Sequence, residues 1–346
     1  MSVHSSPSPN GRSDHGRADG PTDQVLTARG TGKLREEGVT TSGLPKEWGS
    51  VTDAFEEYIM KQNAASDTWQ SEKGVRPSTH RFTPQYAKEK EGKIRGGLRH
   101  VRNVTPDTLP IYTVLLTRTG WPYDGDGNPA PPADFLDGLK EGRTSAHKRL
   151  RRTLDWGDVR TWARATVCEP HSEGQRRSGF PHAHDGLVVV GTSDLEQHEL
   201  RQRLRPVIDT YVEANPFARR CDHKEGALTV MDGRRDGNIE GLGSELTNNL
   251  VGYEFDTSDS TNPLDGVSNA VRRFSALMWA TGKRTVTFGE TFRDYVSRSQ
   301  DDWSPDGDGD GSGHARSDTD YGGGTPTYVE PEPCDVAFTF PDERGD

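Results

Sequence analysis

The sequence predicts an α+β fold: a central antiparallel sheet of about five strands, flanked by helices. Three observations predict it. Apolar and β-branched runs bounded by glycine or proline recur at "IYTVLLTRTGW" (111–121), "RTWARATVCEP" (160–170), "GFPHAHDGLVVVG" (179–191) and "GALTVMD" (226–232), and such runs read as strands. The second and third are joined by the short polar stretch "HSEGQRRSG", a hairpin connection that pairs them antiparallel. Segments with helical spacing are mixed among the strands without the regular alternation of a doubly wound parallel fold.

In chain order, residues 1–45 are rich in Ser, Pro, Gly and Asp and are expected to be disordered. Residues 46–105 read as a helical, partly basic extension, with "SVTDAFEEYIMKQNAA" (50–65) and "YAKEKEGKIRGGLRHVRNV" (86–104) as two helices joined by a loop. A folded domain is expected over 106–300. After its first strand and the turn-rich "PYDGDGNPAPP", residues 133–152 have helical spacing with Phe135, Leu139 and Leu150 on the apolar side. Residues 194–216 read as a helix opened by an Asp cap and closed before Pro216. The segment 242–255 starts with a Ser cap and turns helical, carrying Tyr253, and 269–284 is a further helix. Residues 301–346 form an acidic, mostly disordered tail, within which "DVAFTF" (335–340) could add an edge strand or bind a partner.

That leaves enough chain for one sizeable core. A hydrophobic share of 30% and a mean hydropathy of −0.88 are low for a globular protein. The net charge of −11, with arginine as the main base, suits a halophilic surface, or more plainly an acidic mesophilic one. No run of about 18 apolar residues exists, and the N-terminus lacks an apolar signal core, so a cytoplasmic protein with no membrane partner is expected. The acidic balance speaks against non-specific nucleic-acid binding. Residues 86–102 and 147–160 are nevertheless basic or mixed, and at high salt stacking, shape and metal coordination would carry more of the binding. Cys168, Cys221 and Cys334 lie far apart and suggest neither a disulfide framework nor a zinc ribbon.

The chemistry concentrates in "CEPHSEGQRRSGFPHAH" (168–184). Side chains at i and i+2 of a strand share a face, so His182 and His184 point the same way. The preceding strand ends with Glu169 and His171 close to the hairpin, where one of them can complete a three-ligand site. Two imidazoles, a carboxylate and open positions suit Mg²⁺ or Mn²⁺ acting on phosphate. Glu169 is the preferred third ligand because hard ions favour oxygen donors, with His171 as the alternative. "DGDGDG" (306–311) mimics the start of a calcium loop but has Ser317 where a bidentate Glu is needed, and "YDGDGNP" (123–129) has Pro129 where glycine is needed. They read as a linker and a turn.

The order "YTVLLTRTG", "CEPHSEGQRRSGFPHAHDGLVVV" and a following helix with tyrosine resembles the HUH endonucleases that initiate rolling-circle replication. "YAKEKEGKIRGGLRHVRN" and "RRFSALMWATGKR" bring it nearer to the Rep proteins of halophilic archaeal plasmids and viruses, over roughly residues 86–295. The resemblance implies a metal-dependent nickase and strand-joining enzyme acting on single-stranded DNA at a replication origin, with host replication proteins as further partners. It places the metal on His182 and His184, leaves Thr113, Leu115 and Thr117 a shaping role, and makes Tyr253 the nucleophile. The family's paired tyrosines map onto "NLVGY", where Asn249 replaces the first and Gly252 stands where a lysine is often found. Tyr295 is the second choice, and Tyr211, among Val207, Ile208 and Val212, reads as core. A transposase or relaxase of the same superfamily, a non-catalytic DNA-binding replication regulator and a hydrolase of small phosphoesters are the alternatives.

Overall fold

The computed structural model describes residues 52–60, 63–64, 81–123, 130–173, 177–248, 250–255 and 262–301. The expected disordered segment 1–45, Asn249, the tail beyond 301 with its "DGDGDG" and "DVAFTF" stretches, and most of the 123–129 turn lie outside these residues. Five strands form one antiparallel sheet: β1 (Ile111–Arg118), β2 (Val159–Pro170), β3 (Pro181–Gly191), β4 (Leu228–Asp232) and β5 (Val286–Phe288), in the order β4-β1-β3-β2-β5. The expected α+β architecture is the one found. The fifth strand is three residues long, too short for its alternation to be legible in the sequence.

Helices cover both faces of the sheet, so β3 is buried along most of its length; this is why it reads as an almost continuous apolar run. On one face α3 (Pro132–Leu154) and α4 (Gln197–Ala214) pack Phe135, Leu139, Leu150, Leu204 and Ile208 against Val114, Leu116, Leu187 and Val189. On the other, α2 (Pro84–Val104), α5 (Asn238–Thr247) and α7 (Glu290–Asp301) pack Ile94, Leu98, Leu242, Leu246 and Phe292 against Ala165, Val167, Val188 and Val190. A third cluster gathers α1 (52–60) and α6 (Asn269–Thr281) around Phe55, Phe274 and Trp279.

Local chemistry sets the helix ends. Thr83 caps α2 by accepting a bond from the Tyr86 amide at 3.2 Å, with proline in the first turn, and Ser268 caps α6 by accepting from the Val271 amide at 3.3 Å. Two expected boundaries are corrected. Helix α4 begins at Gln197 with Glu196 as its cap and no capping side chain, rather than at Asp194. Helix α5 begins after Gly237, in the left-handed region at φ 84°, and ends at Thr247, so Ser244 is interior to it and Tyr253 lies beyond it. Between that helix end and Tyr253, Gly252 at φ 134° adopts a backbone conformation open to glycine, and a Cβ there would meet the Thr83 carbonyl oxygen at 2.8 Å. Tyr253 then opens a 3₁₀ turn, Tyr253–Phe255. Among the described residues no helix is long and apolar enough to cross a membrane. Cys168 is free.

Candidate metal centre

The register of the hairpin builds the site. Glu169 lies directly across from His182, and His184 sits across from Val167 on β2 and Thr117 on β1. Paired residues of an antiparallel ladder share a face, so the three functional side chains emerge together at one end of the sheet. Glu169 Oε1 lies 2.9 Å from His182 Nε2 and 2.6 Å from His184 Nε2. Single donor atoms of Glu169, His182 and His184 all lie within 4.8 Å of one another. Neighbouring donors around a six-coordinate ion with bonds of ~2.1 Å stand about 3 Å apart. The residues present therefore fit a hard divalent cation.

Glu169 and His184 are buried and His182 is half-buried. Burial works against ionising the Glu169 carboxyl, but the hydrogen bonds and charges of the two histidines outweigh it and hold the group well below the usual carboxylate range. Burial lowers His182, with the Glu169 contact opposing it and the His184 and Arg177 charges adding to it. Metal binding takes the carboxylate and neutral imidazole forms of such groups. Thr117 Oγ1 lies 3.2 Å from His184 Nδ1; a partner there fixes the ring so that Nε2 faces the donor set.

His171 stands outside the donor set. Its ring stacks on His182 with centroids 4.4 Å apart, and its Nε2 lies 2.8 Å from Thr119 Oγ1, which also accepts from Arg177 Nη1 at 3.3 Å. Burial, followed by the charges of His182, Arg177 and His184, keeps His171 well below the ordinary histidine value. It is a shelf beneath His182. Thr119 and Arg177 were not singled out from the sequence, because their roles depend on the turn at the end of β1 meeting the β2–β3 connection.

The expected tyrosines occupy different settings. Tyr211 is fully buried and donates its hydroxyl to the Thr119 carbonyl at 3.0 Å, in keeping with a core role. Tyr295 on α7 places its hydroxyl 3.4 Å from Thr161 Oγ1. Tyr253 packs against the apolar cluster on the histidine face of the sheet, and its hydroxyl donates to the Glu91 carboxylate on α2. Glu91 also accepts from Arg95 Nε at 2.8 Å. Burial, and then the Glu91 hydrogen bond and charge, push the Tyr253 phenol up from its ordinary value. Next to it, the Glu254 carboxyl is raised by burial and, among smaller influences, by the charge of Glu169.

A second polar cluster lies on the reverse of β3. Asp185 is fully buried, accepts from Thr166 Oγ1 at 2.5 Å, pairs with Arg118, and lies 3.1 Å from His147 Nε2. These groups tie β3 to β1, β2 and α3 directly behind the metal site. In the sequence Asp185 is simply the residue after "HAH", with nothing to mark its partners.

The family model described as "Putative rep protein (DUF1424)" matches residues 30–310, most of the chain and all of this site. The chain belongs to this Rep family. Neither a curated protein nor a solved structure matches it. The family description supports a role in DNA replication, and the Glu169, His182 and His184 group is the chain's candidate metal centre.

Proposed function

We propose that this Rep-family protein is a rolling-circle replication initiator of the HUH type, of the kind found in halophilic archaeal plasmids and viruses. It would nick and rejoin single-stranded origin DNA with Mg²⁺ or Mn²⁺ and a tyrosine nucleophile, alongside host replication proteins. The observation that carries the reading is the donor set of two imidazoles and one carboxylate on adjacent strands of a Rep-family chain. An ion bound there supplies Lewis-acid polarisation of a phosphoryl oxygen.

The chain's own residues orient and move protons. Thr117 and His171 hold the two imidazoles in position. We assign Tyr253 as the nucleophile. Its phenolic oxygen bonds to phosphorus as the bond to the 3′ oxygen breaks. The phenolic proton passes to Glu91, the acceptor of that hydroxyl, and the departing 3′ oxygen takes one up from solvent. The resulting 5′-phosphotyrosine conserves the bond energy for rejoining. One observation favours a second reading as a non-catalytic DNA-binding replication regulator: the raised, Glu91-bound phenol of Tyr253 is a weak nucleophile at rest.

Incubating the full chain with labelled single-stranded origin DNA and Mn²⁺, followed by a denaturing gel and peptide mapping, tests both. Expected is a covalent adduct on Tyr253 that disappears in Tyr253→Phe while metal and strand binding persist. An adduct on Tyr295 or Tyr211 moves the nucleophile within the same enzyme class. The absence of any adduct sinks the nickase reading in favour of the regulator.

A further inference from the structure

Behind the metal centre, on the opposite side of the sheet, a cavity of about 260 Å³ opens between α3, the residues that follow α6, and strands β2 and β3. Ala183, whose neighbours His182 and His184 face the other way, lies in it with Leu136, Leu139 and Met278 as an apolar floor. Among the described residues, five cationic ones line it, Arg118, Lys140, Arg143, Lys283 and Arg284, and none of the lining residues is acidic. In a chain of net charge −11 this is a local reversal of sign.

The cations are poorly compensated. Among the described residues, Lys140, Arg143, Lys283 and Arg284 make no ion pair with a carboxylate, and Asp185 pairs with Arg118 alone of the five. Arg118 is 2% exposed, yet its Nε has no hydrogen-bond partner among the described residues. The Nε of Arg164, on the same face of β2, likewise has none. Burial and then the Lys140 charge lower Lys283, with Asp137 opposing and Arg143 adding to the effect. Like charges held this close are costly unless an anion joins them. An apolar floor with a cationic rim suits an anion that also carries a flat or apolar part, and guanidinium groups match phosphate oxygens well.

We propose that this pocket binds a nucleotide phosphate, either from a free nucleotide or from single-stranded DNA passing behind β3, at a site separate from the metal centre. The inference rests on the pocket and not on the nickase reading, so either can fail without the other. Its test uses the full chain in EDTA, which removes any ion from the histidine face. Two probes are titrated separately: a fluorescent adenosine triphosphate analogue and a labelled thymidine oligonucleotide.

At least one probe is expected to bind and to weaken tenfold or more in the Lys140→Gln/Lys283→Gln double variant. Which probe responds identifies the source of the phosphate. The Lys140→Arg/Lys283→Arg variant separates charge from folding, since it should keep most of the binding. The proposal is overturned if neither probe binds the wild-type chain, if the glutamine variant binds both as tightly as wild type, or if the arginine variant loses binding as fully as the glutamine one.

Discussion

The two faces of β3 place polar groups back to back and use them in opposite ways. On one face, His182 and His184 converge with Glu169, and their free valences point at one another across less than 5 Å. On the other, Asp185 is enclosed by Thr166, Arg118 and His147, and its oxygens are occupied by protein partners. A buried carboxylate with its partners supplied from neighbouring elements ties strands together. A donor set whose converging atoms face one another remains able to take an ion. Buried polarity alone does not mark a site; what matters is whether the protein itself supplies all of the partners.

The largest expected effect lies on the histidine face. His182→Ala or His184→Ala should lower nicking of single-stranded DNA by about three orders of magnitude or more, because stabilisation of developing phosphoryl charge is lost, while the melting temperature stays near that of wild type. Cleavage by the double variant at near wild-type rate with Mn²⁺ would end the metal-centre assignment. The reverse face should answer in the opposite currency. Asp185→Ala leaves Arg118 buried without its carboxylate, a change expected to cost about 3–5 kcal/mol of stability, read as a drop in denaturant midpoint. A midpoint within error of wild type would show that the reverse cluster does not hold β3.

A finer distinction concerns orientation. Thr117→Val removes the oxygen beside His184 Nδ1 and should weaken Mn²⁺ affinity roughly 10- to 100-fold without altering the fold; calorimetric titration measures it, and unchanged affinity would make Thr117 a packing residue only. The smallest effect is one of pH and belongs to two histidines outside the donor set, half-buried His147 and buried His223. Burial, followed by the Arg118 and Arg164 charges, holds His147 far below the ordinary histidine value; burial also lowers His223, although its bond to the Arg219 carbonyl opposes this. Each binds protons more readily unfolded than folded, so stability is constant above the unfolded pKa of about 6.5 and falls as pH drops through it, by up to about 1 kcal/mol per group at pH 6. Thermal melts from pH 7.5 to 5.5 should show that decline, and His147→Gln should flatten it.

Much of the site was legible because it is local. The alternation in "HAH" puts two imidazoles on one face whatever the fold, and the short connection from "CEPH" brings Glu169 opposite them through hairpin register alone. The preference for Glu169 over His171 rested on hard ions favouring oxygen donors, and the donor set agrees with it; what holds His171 aside, Thr119 arriving from β1 to engage its ring, was not legible. The setting of Tyr253 was not legible either. Helical spacing and a serine suggested a helix from 242 to 255, but the helix opens after Gly237 and ends at Thr247, and Gly252, closely approached by Thr83, stands between that end and the tyrosine.

By itself, then, the sequence determined what period-two and period-3.6 patterns can encode: four of the five strands, the helices that cover them, and the shared face of His182 and His184. Contacts between segments far apart in the chain decided the rest. Glu91 meets Tyr253 across 162 residues, and the cationic pocket joins residues of α3 to those following α6. The physical reason is that periodicity specifies which way a side chain faces, whereas its partners are set by which elements pack together, and that information is spread over the whole core.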